Sequence, residues 1–242
     1  MRTIQIGKSG VVYSPLAQDL DTLRAQFGRQ HYLKIPELLG PELLVFVQLR
    51  IEQGEFYERV HECIESNKEL CMTSNTALAA LQFLMNDKKL FQLIQDVTQC
   101  DQIGCFQGRV YRVNPGRGHH DSWHDDIGEH RLVGMSVNLS REVYSGGMLQ
   151  IRDHASGEIV CEVPNAGIGD AVIFRLSPRL QHRITDLEGP APKTAFAGWF
   201  RAQPDFLSLL RKRSEPGLEA PVVKPSARML VSENRSTHDI VY

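Results

Sequence analysis

From about residue 105 to residue 201 the chain is a succession of short alternating segments, with no stretch between them long enough for a crossover helix. Gly134-Met-Ser-Val-Asn-Leu-Ser140 puts Met135, Val137 and Leu139 on one face and Gly134, Ser136, Asn138 and Ser140 on the other, the period of two of a half-buried strand. Gly108 to Val113 alternates and stops at Asn114-Pro115-Gly116, a turn signal. Gly147 to Asp153 follows a Ser-Gly-Gly break, Glu158 to Pro164 is another strand, and Gly169 to Leu176 reads as a fully buried one. Lys193 to Ala202 puts Lys193, Ala195, Ala197, Trp199 and Arg201 on one face. Parallel strands need long connections, which are missing here, so six or more such strands imply an antiparallel sandwich or barrel.

The first hundred residues read mainly as helix. Pro41 follows Gly40 as a first-turn proline, and Leu43, Leu44, Val47 and Ile51 recur at helical spacing. Ser74 and Asn75 are capping candidates for an Ala- and Leu-rich helix. The pattern breaks at Asn86-Asp87 and resumes as a second helix. These stripes are read as packing surfaces and carry no chemistry. The organisation is then three parts: 1–103, a helical support region packed on the core; 104–202, the β core; and 203–242, a short helix over Pro204 to Arg213 followed by an extended, Pro- and Ser-containing tail.

A formal net charge of −2 over 242 residues gives no electrostatic case for nucleic acid or an acidic membrane. Five irregularly spaced cysteines (Cys63, Cys71, Cys100, Cys105 and Cys161), with no C-x-x-C, read as reduced thiols. No secretory leader and no membrane-length apolar run is visible, so the expectation is a soluble cytoplasmic protein.

Ser122-Trp-His-Asp-Asp126 is where chemistry concentrates. In an extended segment residues i and i+2 point the same way, so His124 and Asp126 aim a nitrogen and an oxygen at one point. With a histidine from a distant strand they would complete a two-histidine, one-carboxylate set, which holds Fe(II) and leaves three positions open. His182, just past a buried strand, is the best candidate; His130 and His154 lie in polar, loop-like stretches. Taken alone, His-x-Asp is equally a surface turn with a capping aspartate. Asp125 faces the other way and reads as a loop carboxylate. His119 and His120 read as the rim of the pocket entrance, and Trp123 as packing either beside the metal or toward solvent.

Six features in this order resemble the 2-oxoglutarate- and Fe(II)-dependent oxygenases, in particular their prolyl-4-hydroxylase-like branch. They are Tyr111 to Gly116, His124-x-Asp126, Gly146-Gly147-Met148-Leu149, Gly169 to Phe174, His182, and Lys193 with Trp199. The resemblance covers roughly Gly104 to Arg201. It implies an α+β fold with a mainly β core, a double-stranded β-helix (jelly roll) braced by N-terminal helices. It also implies Fe(II) held by His124, Asp126 and His182, with 2-oxoglutarate as cosubstrate and O2 as oxidant. The far carboxylate of 2-oxoglutarate needs a cation inside the barrel, where an unpaired anion is costly. Lys193 ranks first for it, Arg201 second, and Arg183 is also in reach of the reading; Tyr111 matches the family position for a second hydrogen bond. Related halogenases carry a small residue in place of Asp126, so its carboxylate points to hydroxylation or another oxygen-type outcome. The substrate is an amino acid, a peptidyl residue or a small metabolite. The apolar faces of the helices fit a homodimer as well as intramolecular packing. Two other classes share the motif: a cupin-like metal-dependent hydrolase or isomerase, in which Lys193 has no role, and a catalytically silent jelly-roll binding module.

Overall fold

Two nine-residue strands, Cys105–Val113 and Lys193–Arg201, pair antiparallel along their full length, and the rest of the molecule is arranged around them. The computed structural model describes residues 4–13, 19–60, 68–119, 121–128 and 130–214. The N-terminal elements are β1 (Ile4–Gly7), β2 (Gly10–Tyr13), α1 (Leu20–Gln30), β3 (Tyr32–Ile35), α2 (Pro41–Glu52), β4 (Phe56–Val60), β5 (Lys68–Met72), α3 (Thr76–Leu84) and α4 (Lys88–Thr98). Then follow β6 (Cys105–Val113), β7 (Arg131–Asn138), β8 (Ser145–Gly146), β9 (Leu149–Asp153), β10 (Ile159–Val163), β11 (Ala171–Arg175), β12 (Leu180–Ile184), β13 (Leu187–Glu188), β14 (Lys193–Arg201) and α5 (Phe206–Ser214).

The large sheet has the order β3-β11-β7-β14-β6-β5-β4, and the small one β10-β9-β12. His124 joins the free edge of β12 through a two-bond bridge with His182 (His124 N to His182 O 3.0 Å, His182 N to His124 O 2.7 Å). From β6 onward the chain therefore passes large, small (His124), large (β7), small (β9, β10), large (β11), small (β12), large (β14). This back-and-forth between two antiparallel sheets is the jelly roll, and the fold is sheet-rich α+β.

The two faces of β14 explain how sheet and helices fit. Phe196 and Phe200 point to the helical side and are fully buried. The Phe200 ring centroid lies 4.9 Å from that of Phe106 on β6 and 6.0 Å, edge-on, from Phe91 on α4. Leu90, Ile94 and Val97 of α4 are buried in the same cluster. The break at Asn86-Asp87 is a corner with two functions. Asp87 caps α4 by accepting from Lys89 N (2.7 Å), and Asn86 pins the corner to β6 by accepting from Phe106 N (2.8 Å) and donating to Phe106 O (3.0 Å).

Among the described residues of the first 103, four helices are interspersed with five strands that the helical reading did not include, and β3, β4 and β5 extend the large sheet at both edges. Segments such as Tyr32–Ile35 and Lys68–Met72 are four or five residues long, too short to show a period, and the sheet edge they meet decides their state. The short helix expected after residue 203 is α5; residues 215–242, expected as an extended tail, lie outside the described residues, as does Cys63. Cys71, Cys100, Cys105 and Cys161 are free thiols. No helix among the described residues is long and apolar enough to cross a membrane.

Candidate metal centre and active-site cavity

The cavity-side face of β14 carries Lys193, Ala195, Ala197 and Trp199. The space above it, between the two sheets, encloses about 250 Å³. One wall is the small-sheet side with His124, Asp126 and His182; another is β5 and β6 with Glu69, Arg109 and Tyr111.

His124, Asp126 and His182 each offer one ligand atom, all within 4.8 Å of one another. Asp126 Oδ2 lies 3.2 Å from His182 Nε2 and 3.6 Å from His124 Nε2. Neighbouring ligands set at right angles with bonds of about 2.1 Å to one ion would be roughly 3 Å apart, so the three atoms fit a single centre. His124 Nδ1 sits 2.7 Å from the Ser122 carbonyl oxygen, which can only accept; Nδ1 therefore carries the proton and Nε2 is left with the lone pair. The electrostatics agree. Burial opposes charge on His124, but Asp126 and Asp121 outweigh it and hold the imidazole up at about 9. Burial likewise opposes charge on Asp126, yet the two imidazoles keep its carboxyl well below the usual carboxylate range. A point that draws positive charge this strongly suits a cation.

The convergence of His124 and Asp126 is not that of a regular strand. Only His124 is bridged to β12, and Asp126 has φ +58°, in the left-handed region that aspartate tolerates better than most residues. The turn is what brings the carboxylate round. Arg131 Nη1 holds it through Oδ1 (3.3 Å) and the backbone oxygen (3.2 Å), and Trp199 Nε1 donates to Oδ2 (2.9 Å). The Arg131 guanidinium lies 3.8 Å over the Trp199 ring, so the two residues brace each other.

Lys193 is buried at the other end of the same strand. Its Nζ donates to Gly147 O (2.6 Å) and lies 5.7 Å from the centre of the Tyr144 ring. Burial lowers its ammonium to about 8, with Asp121 opposing the shift. The Gly146-Gly147 turn is required there: both have positive φ, and a Cβ on Gly146 would fall 2.2 Å from Asp186 O. Tyr111 is buried on β6 opposite Ala195, next to Lys193 on the cavity face, and burial pushes its hydroxyl far up, so it stays a neutral donor.

Other sequence candidates fall elsewhere. Arg201 ends β14 eight residues from Lys193, ~26 Å along an extended strand; it bonds Gln107 and does not line the cavity. Arg183 donates to Gln150 Oε1 (2.9 Å) and stacks on Trp123, which is sandwiched by Arg152 on the outside of the small sheet. Asp125 caps a local turn by accepting from Ile127 N (3.0 Å). His119 lines the cavity and accepts from Asn114 N (2.9 Å). His130 is exposed, His154 lies in a turn, and His120 lies outside the described residues.

Several cavity residues gave no signal in the sequence. Asp121 accepts from Ile184 N (2.8 Å) behind His124; Arg131 fixes Asp126; Glu69 and Arg109 form an ion pair (2.7 Å). Trp199 was placed on the right face by alternation, but its hydrogen bond to Asp126 joins positions 73 apart.

Residues 106–201 match the family model described as 2OG-Fe(II) oxygenase superfamily. No protein of curated function matches in sequence. Among solved structures, a Pseudomonas putida prolyl-4-hydroxylase is similar over 76% of this chain and 99% of its own, at 19% identity and TM-score 0.54. A 2OG-Fe(II) oxygenase-family oxidoreductase from Burkholderia pseudomallei covers 83% and 97%, at 9% identity and TM-score 0.58. A prolyl hydroxylase from Trichoplax adhaerens, in complex with a hypoxia inducible factor peptide fragment, covers 81% and 92%, at 14% identity and TM-score 0.54. Residues 106–201 thus resemble the 2OG-Fe(II) oxygenase superfamily, a family whose members use Fe(II), 2-oxoglutarate and O2.

Proposed function

We propose that the protein is a hydroxylase of this superfamily, acting on an unactivated C–H of an amino-acid, peptidyl or small-metabolite substrate. The observation that carries the reading is the His124, Asp126, His182 cluster facing the same cavity as the buried Lys193. When bound, Fe(II) with 2-oxoglutarate and O2 supplies the oxidation: substrate, cosubstrate and O2 go to hydroxylated product, succinate and CO2.

The chain's own residues have separable tasks. His124 Nε2, His182 Nε2 and one Asp126 oxygen would hold the ion. The Ser122 carbonyl fixes the His124 tautomer, and Arg131 with Trp199 fixes the carboxylate. Lys193 pairs with the far carboxylate of the cosubstrate, and the neutral Tyr111 hydroxyl donates beside it. Leu149, Val163 and Val172 give the cavity part of an apolar lining that excludes water and strengthens the ion pair.

The test is thermal stabilisation with Mn(II), then with Mn(II) and 2-oxoglutarate, alongside succinate formation with Fe(II). A ligand bound only by the folded state raises its apparent stability. Wild type should gain stability at each step, and Lys193→Ala should keep the first gain and lose the second. A Lys193→Ala protein that keeps both gains and full turnover would point to a metal enzyme without a keto acid.

A further inference from the structure

Arg109 lies on the cavity face of β6 and has no part in the chemistry above. Its Nε donates to Glu69 Oε1 (2.7 Å), and its guanidinium carbon lies 5.9 Å from the Tyr111 ring centre and 5.7 Å from that of Trp199. A guanidinium has five N–H donors, and no second hydrogen bond of this one is made to a described residue. A role confined to the ion pair would use the charge and leave the remaining donors without a hydrogen-bond partner among the described residues. The side chain is 26% exposed, and it lines the cavity. Arg59, 3.9 Å from Glu69, and Lys68 add two further cations to the same wall. Among the described residues one carboxylate stands against three cations on this wall, although the whole chain carries −2.

Position decides what the charge is for. Across the β6–β14 pairing, Val113 faces Lys193 and Arg109 faces Ala197. The two cations are thus four residues apart along paired strands, ~13 Å. Only the small side chains of Ala195 and Ala197 lie between them on β14. Lys193 serves the end that takes the cosubstrate. Arg109 stands beside Trp199, whose indole holds Asp126, and so next to the metal-binding residues.

We propose that Arg109 binds a carboxylate of the primary substrate, which is therefore a small free acid and not a residue internal to a peptide. This rests on the oxygenase reading for the identity of the site, and it narrows the substrate class that reading leaves open. A planar fork accepts a carboxylate through two parallel hydrogen bonds. Glu69 offsets part of the charge on the wall, which suits a monoanion better than a phosphate dianion. The cavity of about 250 Å³ is smaller than the ~300–1,000 Å³ of drug-sized sites, so it holds a compact molecule beside the cosubstrate.

The experiment is calorimetric titration of the full chain, loaded with Mn(II) and 2-oxoglutarate, with the twenty free amino acids and their primary amides. At least one acid should bind at least tenfold more tightly than its amide. Arg109→Gln should erase that preference and Arg109→Lys should restore part of it. The double variant Glu69→Gln/Arg109→Gln, which strands no charge, should behave as Arg109→Gln if the single variant folds poorly. No acid-over-amide preference across the panel overturns the proposal, as does a preference that survives Arg109→Gln. An acid preference that depends on Arg109, in a protein that gains no stability from Mn(II) and 2-oxoglutarate, would leave the carboxylate site standing and remove the oxygenase reading.

Discussion

Trp199 Nε1 donates a 2.9 Å hydrogen bond to Asp126 Oδ2, so the last strand of the barrel holds the carboxylate of the His124-x-Asp126 motif in place. The bond is made across the cavity, and Arg131 stacks on the back of the indole. Trp199→Phe keeps a ring for Arg131 to cover and removes the N–H. Outer partners of metal ligands are typically worth about 10–100-fold in metal affinity. A loss of about tenfold in Mn(II) affinity, with an unchanged circular dichroism spectrum, is the expected outcome.

Removing a ligand should do more than loosening one. His124→Ala, Asp126→Ala and His182→Ala should each abolish succinate formation and lower Mn(II) affinity by more than about 100-fold, beyond the effect of an outer partner. Full turnover in any of the three would exclude that residue as a ligand. Asp125→Ala, which loses only a turn contact to Ile127, should retain turnover.

If Lys193 holds the cosubstrate as proposed, its ammonium should set a pH limit on cosubstrate binding. With its proton leaving at about 8 in the folded protein, the charged form that pairs with a carboxylate is complete below that pH and is lost above it. KM for 2-oxoglutarate should be flat below pH 7 and rise up to tenfold per unit above 8. A bound carboxylate favours the charged form, which moves the break upward at saturating cosubstrate. The unfolded chain holds the same proton up to about 10.5, so this group alone makes the ligand-free fold more stable as pH climbs from 8 to 10.5. Lys193→Met should lack both effects in a KM–pH profile and in urea titrations.

Phe200 joins the barrel to its helical support. It has no exposed surface and meets Phe106 and Phe91. Phe200→Ala should cost about 3–5 kcal/mol in urea unfolding, the usual range for emptying such a site. Because Phe200 faces away from the cavity, KM for 2-oxoglutarate should not change at temperatures where the variant is folded.

β6, β7 and β14 were legible because each, at eight or nine residues, is long enough for its period to show: Met135, Val137 and the β14 alternation fall on the faces that the pattern assigns. The helices over 41–52, 76–84 and 88–98 were legible through their stripes and caps. The short strands at 32–35, 56–60 and 68–72 were not, since four or five residues of mixed character carry no period, and with them went Glu69. Arg131 and Arg109 were missed for a different reason: a charged residue on a strand looks alike whether it faces solvent or a cavity.

What the sequence offered by itself was the kind of fold and a set of candidate side chains at 124, 126, 182 and 193, because periodicity and residue type are local properties. Which carboxylate oxygen meets which imidazole, which cation lies inside the barrel and which outside, and what holds Asp126 in its left-handed turn were decided only by the packing of β12 and β14 against the residue 121–126 segment. Those contacts join residues more than fifty positions apart, and no local pattern in the chain encodes the distance between them.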